Sequence, residues 1–536
     1  MRAIALAAVL FLLAASAGYA PSGGAVEVSD STILNGGAEV SSISCAAPGD
    51  CAAGGHYLDS SHHGQAFVLS ETNGRWGKPI EVPGMATLRG GHRNASVDSI
   101  SCAAPGDCAA GGEYGRFHHQ EAFLVSERNG RWGKAIEVPG TATLNSGGGA
   151  DVVSISCPAV GECAAGGSYS DPGAYDYQVF VVSERNGRWG KAIEVPGMAT
   201  LNSGDYASVG SVSCATAGNC AAGGSYAYGG GTTQAFVVDE TNGNWGTAIE
   251  VPAAADGVES ISCAAAGECA AGGYHSSSGS LPGRAFVVSE KNGSWGTAIE
   301  VPGTAKLNHM DAAVDSISCA AAGECAAIGD YQDGGSGTQA FVVGETNGSW
   351  GNAIKVPGTA TLNAGGYAEV GSISCAAVGE CAAGGYYMDG SRHQQPFVVS
   401  EVDGKWGKAI KVPGATTLSV VGEGARIAIS CAKAGDCAAG GTIFGGSGRH
   451  RAFVISETNG SWGKAIQVFP ASCVVPNVVG KAIGAAKRRL NAAGCGVGKI
   501  TYDYSNLQTG RVVAQQPEAG KIVHAGTAVA LTVSEG

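Results

Sequence analysis

Beyond its first residues, the chain has no apolar run approaching the ~20 residues that a membrane-spanning helix needs. Charge is sparse: Asp, Glu, Lys and Arg make up 14% of the 536 residues, and acids outnumber bases 45 to 32. A net charge of −13 with scattered Lys and Arg leaves no basic footprint for nucleic acid. Helical periodicity is missing from residues 26 to 470, which excludes a helical bundle. No His recurs at a fixed spacing to complete a zinc site with the cysteines. What abounds is glycine, 88 residues against a usual ~7% of a chain. It punctuates short runs of β-branched and aromatic residues, the texture of short strands joined by tight turns.

The N-terminal apolar run, Ile4 to Ala15, follows Arg2 and leads into the small-x-small triplet Ala15-Ser16-Ala17. A positive start, an apolar stretch too short to span and a small-residue cleavage site make a secretory signal peptide over residues 1–17. Its removal takes away Arg2 and moves the formal charge from −13 to −14. The expected location is extracellular, secreted or cell-wall-associated, with no membrane span in the mature chain. An exported chain with an even number of cysteines, eighteen, points to disulfides.

The eight Trp residues, at 76, 132, 189, 245, 295, 350, 406 and 462, are separated by 56, 57, 56, 50, 55, 56 and 56 residues. A fixed period in this range signals a propeller, solenoid or array. Within the second unit, Val97 to Cys102 alternates apolar and polar residues, and the chain turns and returns as Cys108 to Gly112. Glu121 to Ser126 forms a third strand, and Asn129-Gly130 turns it into a fourth from Trp132 to Val138. Asn-Gly suits a type I′ turn, which needs positive φ at both central positions. Four strands in up-down order match a propeller blade; solenoid coils are usually shorter and lack the hairpin-paired fourth strand. The predicted fold is all-β, an eight-bladed β-propeller over residues 40–470, preceded by a flanking segment, 18–39. Ala25-Val26-Glu27-Val28 echoes the last strand, so either it or Ile466 to Val468 completes the last blade; we favour Trp462 to Val468.

The cysteines share the register as C-x5-C pairs: Cys45/Cys51, Cys102/Cys108, Cys157/Cys163, Cys214/Cys220, Cys263/Cys269, Cys319/Cys325, Cys375/Cys381 and Cys431/Cys437. Across a hairpin such pairs lie within bridging distance, and closing so short a loop stabilises by roughly 2 kcal/mol. Glu71, Glu127, Glu184, Glu240, Glu290, Glu345, Glu401 and Glu457 also recur once per unit. An acid repeated eight times cannot mark one active site, so these and the Trp residues are read as structural.

In an up-down blade the Cys and Asn-Gly turns share one face, and the loops between strands two and three share the other with the blade connections. The first face is nearly identical in every unit and the second holds the divergence. Binding groups are usually mounted on loops of a rigid scaffold. Aromatic rings can bury apolar sugar faces while their polar tips stay wet. The candidate ligand-binding residues are therefore Tyr57, His62, His63, Phe117, His118, His119, Tyr175 and Tyr177, with no catalytic residue, metal or cofactor assigned.

The stretch Ser126 to Trp132, Ser-x-x-Asn-Gly-x-Trp, resembles the Asp-box of sialidase-like propellers, whose motif also sits on the hairpin joining strands three and four. The resemblance implies the architecture. Here Arg75, Arg131 and Arg188 are repeat-register turn residues and not a unique Arg cluster. After Val468 the period stops. Ala482 to Ala493 reads as a helix with Ile483, Ala486 and Leu490 on one face, followed by short strands around Ile500, Val512-Val513 and Val529 to Val533. Gly510-Arg511-Val512-Val513-Ala514-Gln515-Gln516-Pro517-Glu518-Ala519-Gly520 and Gly526-Thr527-Ala528-Val529 resemble a PASTA domain, assigned to residues 471–536, in which Cys473 and Cys495 are placed to clip the first segment to the helix end. The resemblance implies a bacterial, wall-associated protein that meets peptidoglycan.

The function expected from this reading is non-enzymatic: a monomeric, secreted, cell-wall-associated binding protein recognising a glycan, peptidoglycan or a surface protein. The alternative is a secreted polysaccharide hydrolase or lyase, favoured by a unique carboxylate pair across the central channel.

Overall fold

The computed structural model describes residues 33–536 apart from 60–62, 89–93, 117–118, 172–176, 205, 230–231, 254–255, 277–282, 336, 416–421, 446–448, 470–471, 494 and 525–526. The signal peptide and the Ala25–Val28 copy lie outside the described residues. Each repeat folds into its own antiparallel sheet. In the second, Asn94–Ala104 is innermost, followed by Asp107–Arg116 and His119–Arg128. The outer strand is split into Arg131–Trp132 and Ile136–Glu137, and both pieces pair with the third strand. The intervening Gly133 still donates its N–H to Ser126 at 2.9 Å.

Turn chemistry fixes the hairpins. Asn129 (φ 51) and Gly130 (φ 73) both take the left-handed region that a type I′ turn demands. The Cys turn docks on this Asn-Gly turn: Gly130 N–H donates to Gly106 O at 2.8 Å. A Cβ on Gly106 (φ 72) would lie 2.6 Å from Gly130 N, so glycine is required there twice over.

All eight C-x5-C disulfides are formed, with Cα atoms 3.9–4.1 Å apart: Cys45–Cys51, Cys102–Cys108, Cys157–Cys163, Cys214–Cys220, Cys263–Cys269, Cys319–Cys325, Cys375–Cys381 and Cys431–Cys437. The bridges do more than close their turns, because the second cysteine of each pair is a core residue. Cys51, Cys108, Cys163, Cys220, Cys269, Cys325, Cys381 and Cys437 are all buried, each within the apolar cluster of its joint. The cause is local. Each second cysteine opens the strand that continues as Ala-Ala into the packed interior, whereas the first closes a strand beside the turn and stays partly exposed. Cys157 is the exception, buried like its partner Cys163. A buried half-cystine packs as a small hydrophobe, so these bridges add to the joints besides closing the hairpins. Cys495 is also disulfide-bonded.

The inner strands contact one another in sequence, and Gly422–Lys433 returns to Ile33–Ala47, closing the ring. Eight apolar clusters, one at each joint between neighbouring sheets, replace a single central core. Single-turn helices such as Met85–Leu88, Thr141–Leu144 and Met198–Leu201 occupy connections. Four residues are too few to show a 3.6-residue period, so the sequence pattern carried no trace of them.

The last sheet is completed by its own Ser461–Trp462 and Ile466–Gln467. Phe469 wedges into its joint with the first sheet, edge-on to Phe67 at 4.9 Å and tilted against Tyr57 at 5.5 Å. The inner strand of the first sheet begins at Ile33, paired with Asp59.

The repeated Glu and Trp stitch the joints. Ser70 Oγ donates to Glu127 Oε1 of the next sheet at 2.9 Å and accepts from its Trp132 Nε1 at 3.2 Å. Across the closing joint Ser456, Glu71 and Trp76 repeat the arrangement at 2.7 and 3.0 Å.

The C-terminal module packs the helix Ile483–Ala492 on a three-stranded sheet of Gly496–Asp503, Ala528–Ser534 and Val512–Gln516. Ala486 and Leu490 are fully buried in its own small core with Val478, Val512 and Leu531.

Candidate functional site

Two variable positions are set inside the otherwise invariant blade frame. A bulge interrupts pairing of the inner strand in seven sheets, and its extra residue is Ser41, Asp98, Val153, Gly210, Glu259, Asp315 or Gly371. Two residues before it, a cross-strand pair ends the Gly-Gly segment of the second strand. It reads Glu39–His56, Ser96–Glu113, Asp151–Ser168, Ser208–Ser225, Gly257–Tyr274, Ala313–Asp330, Glu369–Tyr386 and, in the last sheet, Arg426–Thr442. Because the inner strands pack side by side, these positions build the upper wall of the ring's interior. The charged residues of that wall are mostly acids: Glu39, Asp98, Glu113, Asp151, Glu259, Asp315, Asp330 and Glu369 against Arg426.

Over sheets two to four the wall opens into a cleft of about 450 Å³ lined by Glu113, Gln120, Asp151, Ser168, Tyr177, Tyr206 and Ser208. The Tyr177 and Tyr206 rings meet edge to face with centroids 6.1 Å apart, and both are over 40% exposed. Their placement comes from the frame: Tyr177 begins the third strand of one sheet and bridges to Tyr206, just before the inner strand of the next. Buried Asn202, which caps the helix Met198–Leu201, accepts Tyr206 N–H at 3.1 Å and donates to Gln178 at 3.1 Å.

The carboxylates of this arc are held by neutral donors. Gln120 Nε2 donates to Glu113 at 2.7 Å, Ser168 N–H to Asp151 at 3.1 Å, and Ser96 Oγ to Asp98 at 2.8 Å. Burial, reinforced by the charges of Glu113 and Asp151, pushes the Asp98 carboxyl up to about 7. Glu113 is raised by burial and then by Asp151, and Asp151 by burial.

A second acidic grouping lies across sheets five to seven. The Tyr367 and Tyr386 rings stack at 5.9 Å, and both hydroxyls donate to Glu369 Oε2 at 2.5 Å. Burial and the Glu369 charge push Asp330 up to about 6. Asp315 is raised well above the carboxylate range by burial and then by Asp330, and its Oδ2 is buried without a hydrogen bond. Among the described residues, no group of three or more His, Cys, Asp and Glu is arranged to hold a metal ion.

Of the sequence-chosen residues, Tyr177 lines the cleft. Tyr57 does not: it is 4% exposed and packs in the closing joint, because the second strand runs on to Asp59. His63 stands half-buried with Nδ1 3.7 Å from Asp59. His119 is exposed at the start of a third strand, paired with Arg116. His62, Phe117, His118 and Tyr175 fall outside the described residues. Sequence reasoning missed Glu113, Asp151 and Tyr206. Only Glu113 left a signal: it follows Gly-Gly, a position at which the repeats diverge.

No curated protein matches the chain. Among solved structures, Sqt1 from Chaetomium thermophilum has a TM-score of 0.43 at 15% identity, over 82% of this chain and 98% of its own. An ulvan lyase, a polysaccharide lyase, gives 0.40 at 10% identity, over 81% and 96%. The Hadza microbial sialidase Hz136 gives 0.33 at 8%, over 78% and 73%. These likenesses assign no activity. Residues 474–535 match the PASTA domain family, so the chain carries a PASTA domain behind its eight-sheet repeat domain.

Proposed function

We propose that this protein is a secreted, cell-wall-associated binding protein whose propeller presents the cleft over sheets two to four to a glycan, while its PASTA domain contacts peptidoglycan. The observation that carries the reading is the Tyr177–Tyr206 pair standing exposed over a polar cleft. Exposed rings beside hydrogen-bonding groups suit a sugar's apolar faces and hydroxyls. The remaining invariant face offers turns and disulfides. Export is supported by the leader sequence and by the oxidised cysteines, none of which is free among the described residues. The test is a glycan array and a peptidoglycan pull-down with the full chain, with Y177A/Y206A and with a chain ending after residue 470. The double variant should lose array binding and the shortened chain should lose peptidoglycan; array binding unchanged in the double variant refutes the cleft assignment.

The Asp315–Asp330 carboxyl pair favours a second reading, polysaccharide hydrolysis or lysis, in which Asp315, raised by burial and by the Asp330 charge, serves as general acid. New chain ends released from a polysaccharide panel, and lost in D315N, would support it. Absence of cleavage across the panel removes it.

A further inference from the structure

The ionisable groups of the cleft all carry one sign. Glu113 and Asp151 line it and Asp98 adjoins them, yet no Lys, Arg or His appears in its lining. Each of the three carboxyls is satisfied by neutral donors, and among the described residues no ion pair reaches any of them. Burial raises all three carboxyls, and at Asp98 and Glu113 the neighbouring acid charges add to it. A fold that gathers like charges beside exposed rings without an internal cation leaves that role to a ligand.

We propose that the cleft selects a glycan bearing free amino groups, an oligomer of de-N-acetylated hexosamine; this rests on the reading of the cleft as a sugar site. The ammonium at each sugar's amine supplies the missing counter-charge to Glu113 and Asp151. The edge-to-face tyrosines present ring faces to the same cation, an attraction that operates within about 6 Å of a ring centroid. Sugar hydroxyls meet Gln120, Ser168 and Ser208. A uronate or a sialic acid carries the opposite charge and is repelled by the wall, whereas an N-acetylated sugar fits the polar groups but leaves the carboxylates uncompensated. The space, about 450 Å³, is in the ordinary range for small-ligand sites.

The experiment is titration calorimetry on the full chain with three probes: a glucosamine tetramer, an N-acetylglucosamine tetramer and a tetragalacturonate. The expected result is that the free amine form binds at least tenfold more tightly than the acetylated form and that the galacturonate does not bind. Added salt should weaken the free amine form selectively. The isosteric E113Q/D151N variant should lose about tenfold for the glucosamine tetramer, so that its preference for the free amine over the acetylated tetramer largely disappears. Thermal melting confirms that the variant is folded. Equal affinity for the acetylated and free forms, no change in E113Q/D151N, or no binding of the free amine form overturns the proposal. If Y177A/Y206A loses both neutral and cationic sugars in that case, the sugar site stands and its charge selectivity alone is refuted. If the double tyrosine variant binds like the parent chain, the cleft assignment itself is refuted.

Discussion

The joint between the fourth and fifth sheets breaks a pattern that recurs round the ring, and the break can be repaired by one substitution. At five joints a Ser hydroxyl donates to the next sheet's Glu at 2.7–3.0 Å. Here the Ser is replaced by Asp239, which accepts Trp295 Nε1 at 3.1 Å and faces Glu290 with a second negative charge. Glu290 is 4% exposed. Burial, then Asp239 and Glu268, push its carboxyl up to about 7, and burial raises Asp239. A carboxyl whose folded pKa lies above its unfolded value holds its proton more tightly when folded. Stability is therefore highest below pH ~4.5 and falls as pH rises towards about 7. The Glu290 shift sets a ceiling of about 3 kcal/mol, and water reaching the joint reduces the expected effect to roughly 1–2 kcal/mol. D239S restores the hydroxyl donor and removes the repulsion while leaving an acceptor for Trp295. Urea unfolding should show D239S more stable than the parent by that amount at pH 8 and nearly equal to it at pH 4. A gain of the same size at both pH values, or none at pH 8, refutes the reasoning.

Removing the wedge at the closing joint, F469A, should cost about 3–5 kcal/mol by thermal or urea unfolding, because a nearly buried ring packed on Phe67 and Tyr57 is lost. G130A should cost about 1 kcal/mol, since a Cβ there has positive φ but open space; G106A should cost clearly more, because its Cβ collides with the backbone of the facing turn. Comparison of their melting temperatures checks the order. Replacing Cys102 and Cys108 together by Ala, which brings no hydroxyl into the joint where Cys108 is buried, should lower stability by roughly 2 kcal/mol in urea unfolding. Non-reducing peptide mapping of the parent should return the eight intra-sheet pairs.

The repeat made the frame legible. Eight registered copies of the Cys pair, of Asn-Gly (Asp403-Gly404 in the seventh) and of Trp expose strand order and disulfide pairing without any help from tertiary contacts, because each feature is local to a hairpin. Burial of the second cysteine was not legible in the same way, since the neighbouring sheet supplies the atoms that cover it. The split of the outer strand left no mark because two-residue pieces have no alternation to detect. The cleft was legible only in part. Tyr177 stands at a strand end beside a divergent loop, where variation between repeats is plain. Glu113 and Asp151 sit within strands, where apolar–polar alternation makes an acid look like an ordinary outward residue. That they face the same cleft depends on inter-sheet packing that no single repeat contains. The Asp239 exception was equally readable, as the single acid in a column of six Ser and Gly344, but its meaning needs the Trp and Glu that reach it from the next repeat.

Phe469 and the Ser456–Glu71–Trp76 contacts hold the first and last sheets together although no peptide links them. Every other joint has a connecting segment in addition to its packed cluster. The ring thus resembles a barrel of staves held by the fit of their flanks, with the connecting segments acting as tethers. Cutting one tether, for example after Leu144, leaves a nicked chain whose staves stay in place, and its two fragments should travel together until a denaturant loosens the flanks.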